Sequence, residues 1–441
     1  MRCSTAISIP LSRPICCGGV EPPLRKVAIA VTIPIRCAKC GACTVVCPVY
    51  RASGGLESYS ARGRNHLATV PEYVQPTPVY EDIFSKCLLC GACTRACPRG
   101  IDINQETIRA RAGFSRFYGR HGFQKYLARQ ALRHPELLGA AGRLGRLAGR
   151  LTRRLPPDSG LRLRLALFEP PPAEAPVAAD PASSPVPSAA ALTWFPGCAA
   201  EYLFPEIAAA CRDLLAGHGF DLVAPAGLGC CGLAHHAAGD GEAALALARR
   251  NIEALERRPG PILVSCASCF AHLRHYRDLL ADDPLWRDRA AAVCDRLAEM
   301  MQFLDGLPAT AAQEHIGAAA KRPLRVFYHD PCHLRHEVAI VKEPRRLLQR
   351  LPGVELVELP GGPQCCGQGG LFHLGAPELA ALIRDDLAAK VLALQPDIVT
   401  STCSGCLMQW RTALTAAGSP VAVMHLAELL RLAAAPGVFP A

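Results

Sequence analysis

No stretch of this 441-residue chain approaches eighteen consecutive apolar residues, so no membrane-spanning helix is expected. The chain also lacks a glycine-rich dinucleotide fingerprint, a phosphate-cradling P-loop and any nucleophile–base constellation. Those absences leave no visible flavin or nicotinamide site, so any hydride chemistry belongs on another chain. The first residues lack a signal peptide's layout: the longest apolar run, Val27 to Ile33, is interrupted by Thr32, and there is no twin-arginine pair. Residues 1–34, with several prolines and Cys3, Cys16 and Cys17, read as an irregular extension. Cys16-Cys17-Gly18 has no partner cysteines at a useful distance and reads as coincidence.

Cysteine is what the chain has in excess. Half of its residues are hydrophobic, which makes it globular, and its length suits about three domains. Twenty-three cysteines are more than packing uses. They fall into C-x-x-C and Cys-Cys clusters rather than a disulfide framework, a pattern of metal binding in a reducing compartment.

Two copies of one string dominate the first hundred residues: Cys37-Ala-Lys-Cys40-Gly-Ala-Cys43-Thr-Val-Val-Cys47-Pro48 and Cys87-Leu-Leu-Cys90-Gly-Ala-Cys93-Thr-Arg-Ala-Cys97-Pro98. Each is a C-x2-C-x2-C-x3-C-P run, the ligand spacing of a bacterial-type [4Fe–4S] site. Three thiolates in a tight, glycine-containing loop face one cluster, and the fourth, held by the proline, reaches the other. Cys37, Cys40, Cys43 and Cys97 are therefore assigned to one cluster, and Cys87, Cys90, Cys93 and Cys47 to a second. Zinc suits C-x2-C pairs but has no use for four cysteines at this spacing. Two clusters in one module mean that electrons pass through the chain.

The 39 residues from Pro48 to Lys86 are longer than a minimal two-cluster connection needs. From Arg99 to Leu155 the chain carries thirteen Lys and Arg against three acidic residues, a net of +10 that equals the charge of the whole protein. Within it, Leu144, Leu147 and Leu151 alternate with Arg143, Arg146 and Arg150 at helical spacing. Such a helix suits an anionic membrane surface, cover over the cluster module, or an acidic partner. No recognition motif accompanies the charge, so nucleic acid is not expected. Residues 156–190, rich in Pro and Ala, read as a semi-rigid spacer.

The second half is a duplication. Copy one has Cys198, Cys230-Cys231-Gly232 and Cys266-Ala-Ser-Cys269; copy two has Cys332, Cys365-Cys366-Gly367 and Cys403-Ser-Gly-Cys406. Equivalent cysteines are offset by 134, 135 and 137 residues. In each copy a strand (192–195; 324–328) runs into the first cysteine and a helix (205–216; 343–351) follows. A strand (221–224; 354–359) then leads to the Cys-Cys-Gly turn. A helix (242–256; 377–394) and a strand (262–265; 397–400) end at the C-x-x-C. Alternating strands and helices imply parallel sheets, with ligands bound outside the strands' carboxyl ends. All three cysteine elements of each copy fall there.

These motifs resemble the cysteine-rich "CCG" domains. Such domains occur in heterodisulfide reductases and in the iron–sulfur subunits of glycolate oxidase, lactate dehydrogenase and anaerobic glycerol-3-phosphate dehydrogenase. A two-cluster ferredoxin followed by two such domains looks most like the glycolate/lactate type, to which Tyr328-His329-Asp330-Pro331-Cys332-His333-Leu334 and Cys365-Cys366-Gly367-Gln368-Gly369-Gly370 also lean. The resemblance covers 35–430 and implies an α+β multidomain fold. Its parts are a helical two-cluster ferredoxin module (35–115), a basic helical segment (116–155), a linker (156–190) and two duplicated α/β cysteine-rich domains (191–310 and 322–435).

By position the resemblance implies that Cys198, Cys230, Cys231, Cys266 and Cys269 hold one non-cubane cluster. Cys332, Cys365, Cys366, Cys403 and Cys406 would hold another, with zinc or free thiols as the alternative. It further implies an FAD-containing hydroxyacid dehydrogenase partner, a quinone or other electron acceptor, and a cytoplasmic location, with peripheral contact at the inner face of the membrane as an option. A disulfide-reducing subunit and a glycerol-3-phosphate dehydrogenase subunit are the alternatives. His235, His236, His329, His333 and His336 lie near these cysteines and could tune a cluster or relay protons, but packing or solvent exposure is the preferred reading over ligation. Cys211 and Cys294 read as small buried hydrophobes.

Overall fold

The computed structural model describes residues 37–69, 77–152, 154–156, 162, 166, 190–308 and 322–434. The expected extension over 1–34 and most of the expected linker over 156–190 lie outside the described residues.

The N-terminal module is helical: α1 (Ala61–Thr69), α2 (Pro78–Ser85) and α3 (Ile103–Ala112) surround the two cysteine strings. Local chemistry fixes the starts of two of them. Thr77 caps α2 by accepting from the Tyr80 N–H, with Pro78 in the first turn, and Asp102 caps α3 by accepting from the Gln105 N–H. Tyr80, Ile83 and Phe84 form a small apolar core beneath them.

The basic segment forms α4 (Gly122–Arg133) and α5 (Pro135–Thr152). Helix α5 lies against the first cysteine-rich domain through a buried face of Leu138 and glycines. A Cβ on Gly142 would collide with the Tyr202 carbonyl oxygen, and Arg146 donates to the Leu203 carbonyl at 3.1 Å. The leucine row faces outward: Leu144, Leu147 and Leu151 are 68%, 60% and 66% exposed. Small residues thus permit close approach on one side while the apolar stripe stays uncovered on the other. Among the described residues no helix is long and apolar enough to cross a membrane.

Strands β1 (Ala190–Phe195), β2 (Phe220–Val223), β3 (Ile262–Val264) and β4 (Leu297–Glu299) make one parallel sheet in the order β2-β1-β3-β4. Strands β5 (Leu324–Tyr328), β6 (Val354–Val357), β7 (Ile398–Ser401) and β8 (Ala422–His425) repeat it as β6-β5-β7-β8. In each sheet the order reverses beside the first strand, which creates a crevice between β1 and β3, and between β5 and β7, at the carboxyl ends. Side chains alternate between two cores. Trp194, Leu263, Val326, Tyr328 and Ile398 enter one, and Phe195, Ile262, Val264, Phe327 and Val399 enter the other. Each core draws on both repeats, so the two domains are packed as one body.

Two expectations need correction. The strands before the Cys-Cys-Gly turns do not reach them: β2 stops at Val223 and β6 at Val357. Pro225 with Gly227, and Pro360 through Pro363, break the ladder, because proline cannot donate to it. The fourth strands, β4 and β8, were also unforeseen, since Leu-Ala-Glu and Ala-Val-Met-His carry no strand-like alternation of their own.

Helix α6 (Leu426–Ala434) follows β8, and its start offers a pH test. The His425 N–H donates to Glu428 Oε2 at 2.8 Å, while the Ala427 N–H donates to His425 Nδ1 at 3.1 Å. Burial, seconded by Glu206 and opposed by Arg411 and Arg431, raises the Glu428 carboxyl to about 7. The folded chain therefore keeps a proton that the unfolded chain releases from about pH 4.5 upward. This group's contribution falls as pH rises through the window to about 7. Glu428→Gln retains an acceptor and removes the titration. Its melting temperature relative to the parent is expected to rise between about pH 5 and about pH 8; a difference that stays constant across that range contradicts this.

Candidate metal centres

The two N-terminal strings fold identically. The residue two after the first cysteine adopts left-handed backbone (Lys39 φ 56°, Leu89 φ 53°), as does the following glycine (Gly41 φ 82°, Gly91 φ 75°). This double reversal aims amides at sulfur: Lys39 N–H donates to Cys37 Sγ at 3.4 Å and Leu89 N–H to Cys87 Sγ at 3.5 Å. The fourth cysteine of each string is extended ahead of its proline, which turns it away from its own loop. Cys47 lies among Cys87, Cys90 and Cys93, and Cys97 lies beside Cys43 and Cys37. Cys40, the remaining expected member of that group, is exposed at the surface of the same loop.

The two groups differ in environment. Burial, then the neighbouring thiols, pushes Cys90 and Cys93 far above the usual thiol range. Burial would do the same to Cys87, but Arg64 and Arg111 beside it bring its thiol below the ordinary value. Cys43, at the surface group, is raised by partial burial with Cys37 and Cys97 adding to it.

In the repeats the first cysteine follows β1 or β5 and the C-x-x-C follows β3 or β7, so both flank the crevice where the strand order reverses. The Cys-Cys-Gly turn closes it. Gly232 (φ 93°) and Gly367 (φ 82°) hold left-handed backbone, and their N–H groups donate to Cys230 Sγ at 3.5 Å and Cys365 Sγ at 3.4 Å. At Gly367 a Cβ would also stand 2.9 Å from the Ala380 carbonyl oxygen, so only glycine fits there.

Within the repeats the thiols form a continuous line in hydrogen-bonding reach of one another: Cys198 to Cys230, Cys231, Cys269, Cys266, then across to Cys403, Cys406 and Cys366. The crossing from one repeat to the other is tied by the Ala267 N–H, which donates to the Thr402 carbonyl at 2.9 Å, and by Ser268 Oγ, 3.1 Å from Cys403 Sγ. Cys332 and Cys365 stand apart from this line and turn toward the N-terminal module, where Cys90 is their neighbour. A cavity of about 380 Å³ opens at this junction, lined by Cys90, Cys332 and Cys365 together with Arg51, Arg95 and Arg335.

The donor set fits iron–sulfur clusters. None of the twenty described cysteines forms a disulfide. Eighteen of them, all but Cys211 and Cys294, gather in these groups. Buried thiols at such density cannot all ionise against one another without a cationic core to bind them. His272 supports the same conclusion. It is 1% exposed beside the first Cys-Cys-Gly turn, and neither ring nitrogen has a partner. Cys211 and Cys294 are buried away from these groups, as packing residues should be.

The histidines divide. His235 is fixed by Asp240 at 3.0 Å and the Arg129 carbonyl at 3.2 Å, a structural role. His236 stacks near His272, with ring centroids 5.3 Å apart, and His336 packs against Gly91. His333 Nδ1 lies 3.2 Å from Ser268 Oγ. His329 goes against the preference for packing: one ligand atom each of His329, Cys366 and Cys406 lie within 4.8 Å of one another, all buried. Its counterpart in the first repeat is Phe195, so aligning the two copies position by position exposes the asymmetry.

Comparison with known proteins agrees with this division of the chain. A family described as a cysteine-rich domain matches residues 192–274 and 326–411, and one described as a 4Fe-4S dicluster domain matches 35–101. The chain is 30% identical over 424 residues to a probable glycolate oxidase iron-sulfur subunit of Bacillus subtilis, covering 91% of this chain and 94% of that protein. It is 31% identical over 226 residues to lactate utilization protein A of an Exiguobacterium species, covering 51% of this chain and 90% of that protein. With the protein of the same name from Halalkalibacterium halodurans it shares 29% over 218 residues, 49% of this chain and 87% of that one.

Proposed function

The chain belongs to the family of iron–sulfur subunits of the glycolate oxidase and lactate utilization type, and from that premise we propose that it carries electrons from a flavin-dependent 2-hydroxyacid dehydrogenase to a quinone or another carrier. Cys37, Cys40, Cys43 and Cys97 would hold one [4Fe–4S] cluster, and Cys87, Cys90, Cys93 and Cys47 the second. Cys198, Cys230, Cys231, Cys266 and Cys269 would hold a third centre. Cys332, Cys365, Cys366, Cys403 and Cys406 would hold a fourth, with His329 as a further donor. Bound there, such clusters supply one-electron transfer. The chain's own residues space the centres, bury most of their thiols, and supply N–H groups to sulfur.

One observation carries this reading: the cysteine groups are contiguous. Cys47 links the surface string to Cys90, Cys90 neighbours Cys332 and Cys365, and Cys403 adjoins Cys266 of the other repeat. Substrate oxidation belongs to an FAD-containing partner, and the exposed Cys40 loop is the natural side for its approach. The outward leucines of α5, with Arg143 among them, suit peripheral contact at the inner face of the cytoplasmic membrane.

The test is anaerobic isolation of the chain with its partners, followed by visible absorbance on adding glycolate or D-lactate. Bleaching of the iron–sulfur bands is expected. Full clusters and a co-isolated flavoprotein without bleaching would reject the hydroxyacid route. The arginine-lined cavity beside Cys332 and Cys365 favours a second reading, reduction of a small anionic disulfide by two electrons and two protons to two thiols. Reoxidation of the bleached protein by such a disulfide, with thiol release, would favour it.

A further inference from the structure

Four cations are buried behind Cys87 with no carboxylate in ion-pair contact among the described residues; Glu81 stands near Lys125 and Asp240 near Arg129. Arg64, Arg111, Lys125 and Arg129 are 2%, 7%, 6% and 3% exposed. Each donates to backbone carbonyls instead, although the Nε of Arg129 finds no partner. Arg111 donates to the carbonyls of Phe84 (2.9 Å), Ser85 (3.2 Å), Cys87 (2.8 Å) and Ala237 (2.6 Å). Arg64 donates to Ile83 at 3.2 Å and to Lys86. Lys125 donates to Tyr118 at 2.7 Å and Arg129 to Arg116 at 2.8 Å. Carbonyl dipoles solvate a guanidinium but do not cancel its charge. Buried, uncancelled cations of one sign are costly unless an anion lies among them.

The surface string has no such surroundings. Its cations are solvent-screened: Lys39 within the string and Arg95 and Arg99 around Cys97 are exposed, and Arg62 is partly exposed and paired with Glu57 at 2.7 Å.

Resting on the cluster ligation proposed above, we propose that Arg64 and Arg111 make the cluster of Cys47, Cys87, Cys90 and Cys93 the electron sink of the N-terminal module. Reduction adds one negative charge to a thiolate-bound cluster, and net charge, burial and hydrogen bonding set its potential. Burial alone lowers the potential, because a desolvated site resists further negative charge. Two fixed guanidiniums flanking Cys87 act the other way. The same low dielectric that penalises the cluster strengthens their uncancelled field. The surface cluster, beside a neutralised pair and near solvent, receives neither effect. Electrons arriving at the exposed string therefore run inward, toward Cys332 and Cys365, and do not rest at the surface. Arg64 and Arg111 are positioning residues in this scheme and touch no substrate.

The experiment is a redox titration of the purified, cluster-loaded full-length chain, followed by electron paramagnetic resonance at each potential. Arg64→Met and Arg111→Met remove charge and keep length, Arg111→Lys keeps charge, and Arg62→Met is the control. Two half-reduction points are expected in the parent. Each methionine variant should lower the higher one, cutting the reduced-to-oxidised ratio of that cluster about tenfold at fixed ambient potential, which is 59 mV for one electron. Arg111→Lys should largely restore it and Arg62→Met should leave it in place. Arg64→Met decides the matter if Arg111→Met does not fold. Full iron with both half-reduction points unmoved, or both moved together, overturns the inference. Two clusters absent from the parent chain would overturn the cluster ligation itself, a separable failure.

Discussion

Exchanging Cys403 for serine is expected to strip iron from both repeats, whereas exchanging Cys198 should empty one. The difference follows from where the two thiols sit. Cys198 ends the line, with Cys230 as its hydrogen-bonding neighbour in the same repeat. Cys403 stands at the crossing: it occupies the position just before the helix Ser404–Ala416, reaches Cys406 of its own motif and Cys266 of the other, and lies 3.1 Å from Ser268 Oγ. Serine preserves shape and a polar atom, so the fold should survive. It replaces a soft thiolate with a poorly acidic hydroxyl that is a weak iron ligand. Iron and acid-labile sulfide per chain, measured after anaerobic purification, are expected to fall by about one four-iron cluster for Cys198→Ser and by more for Cys403→Ser. Equal losses would mean that the two sites are independent despite their contact.

Replacing Gly239 with valine is expected to be strongly destabilising. Gly239 lies where the end of α3 meets the first repeat, in left-handed backbone at φ 80°. A Cβ there would collide with the Ala112 nitrogen and stand 2.5 Å from the Arg111 carbonyl carbon. These are backbone atoms and cannot rotate aside, so the N-terminal module must move off the repeat. Moving it breaks the bond from Arg111 Nη1 to the Ala237 carbonyl, 2.6 Å in the native chain. Overpacking and a strained φ together are worth about 3 kcal/mol or more. A fall of roughly 6 °C or more in the first thermal transition is expected. Gly217→Ala, where nothing lies within 4 Å of the added carbon, is the control. If both variants melt alike, the close approach at Gly239 is not what holds the module in place.

Much of this was legible in the sequence because cysteine spacing is a geometric instruction. A C-x2-C-x2-C-x3-C-P string has few ways to present its thiols, and the constant offsets between repeats signal one ligand layout used twice. The two strands of each repeat that abut cysteines were legible for the same reason, since their short apolar runs end in motifs of known use, whereas β2 and β6 stop short of the Cys-Cys-Gly turns. The fourth strands were not, because β4 and β8 owe their pairing to neighbours supplied by β3 and β7. The continuous line of thiols across Cys266 and Cys403 was likewise beyond reach. It depends on how two sheets share cores through Phe195, Val264, Phe327 and Val399. The buried cations show the same limit. Arg111 sits in the basic run from Arg99 to Leu155, and nothing in its spacing marks it as buried; tertiary structure places it, with Arg64, behind Cys87. The outward row Leu144, Leu147 and Leu151 was not legible either, since Leu138 and the glycines make the contact of that helix with the body.

The most direct test of an electron-carrying chain built on eighteen cysteines is a count of iron and acid-labile sulfide in the anaerobically purified protein, taken with its resonance spectrum after reduction. Equal iron and sulfide are expected, in excess of the roughly eight that two cubane clusters hold, with resonances from more than two centres. A colourless protein containing zinc, or one with no iron beyond the N-terminal module, would contradict this.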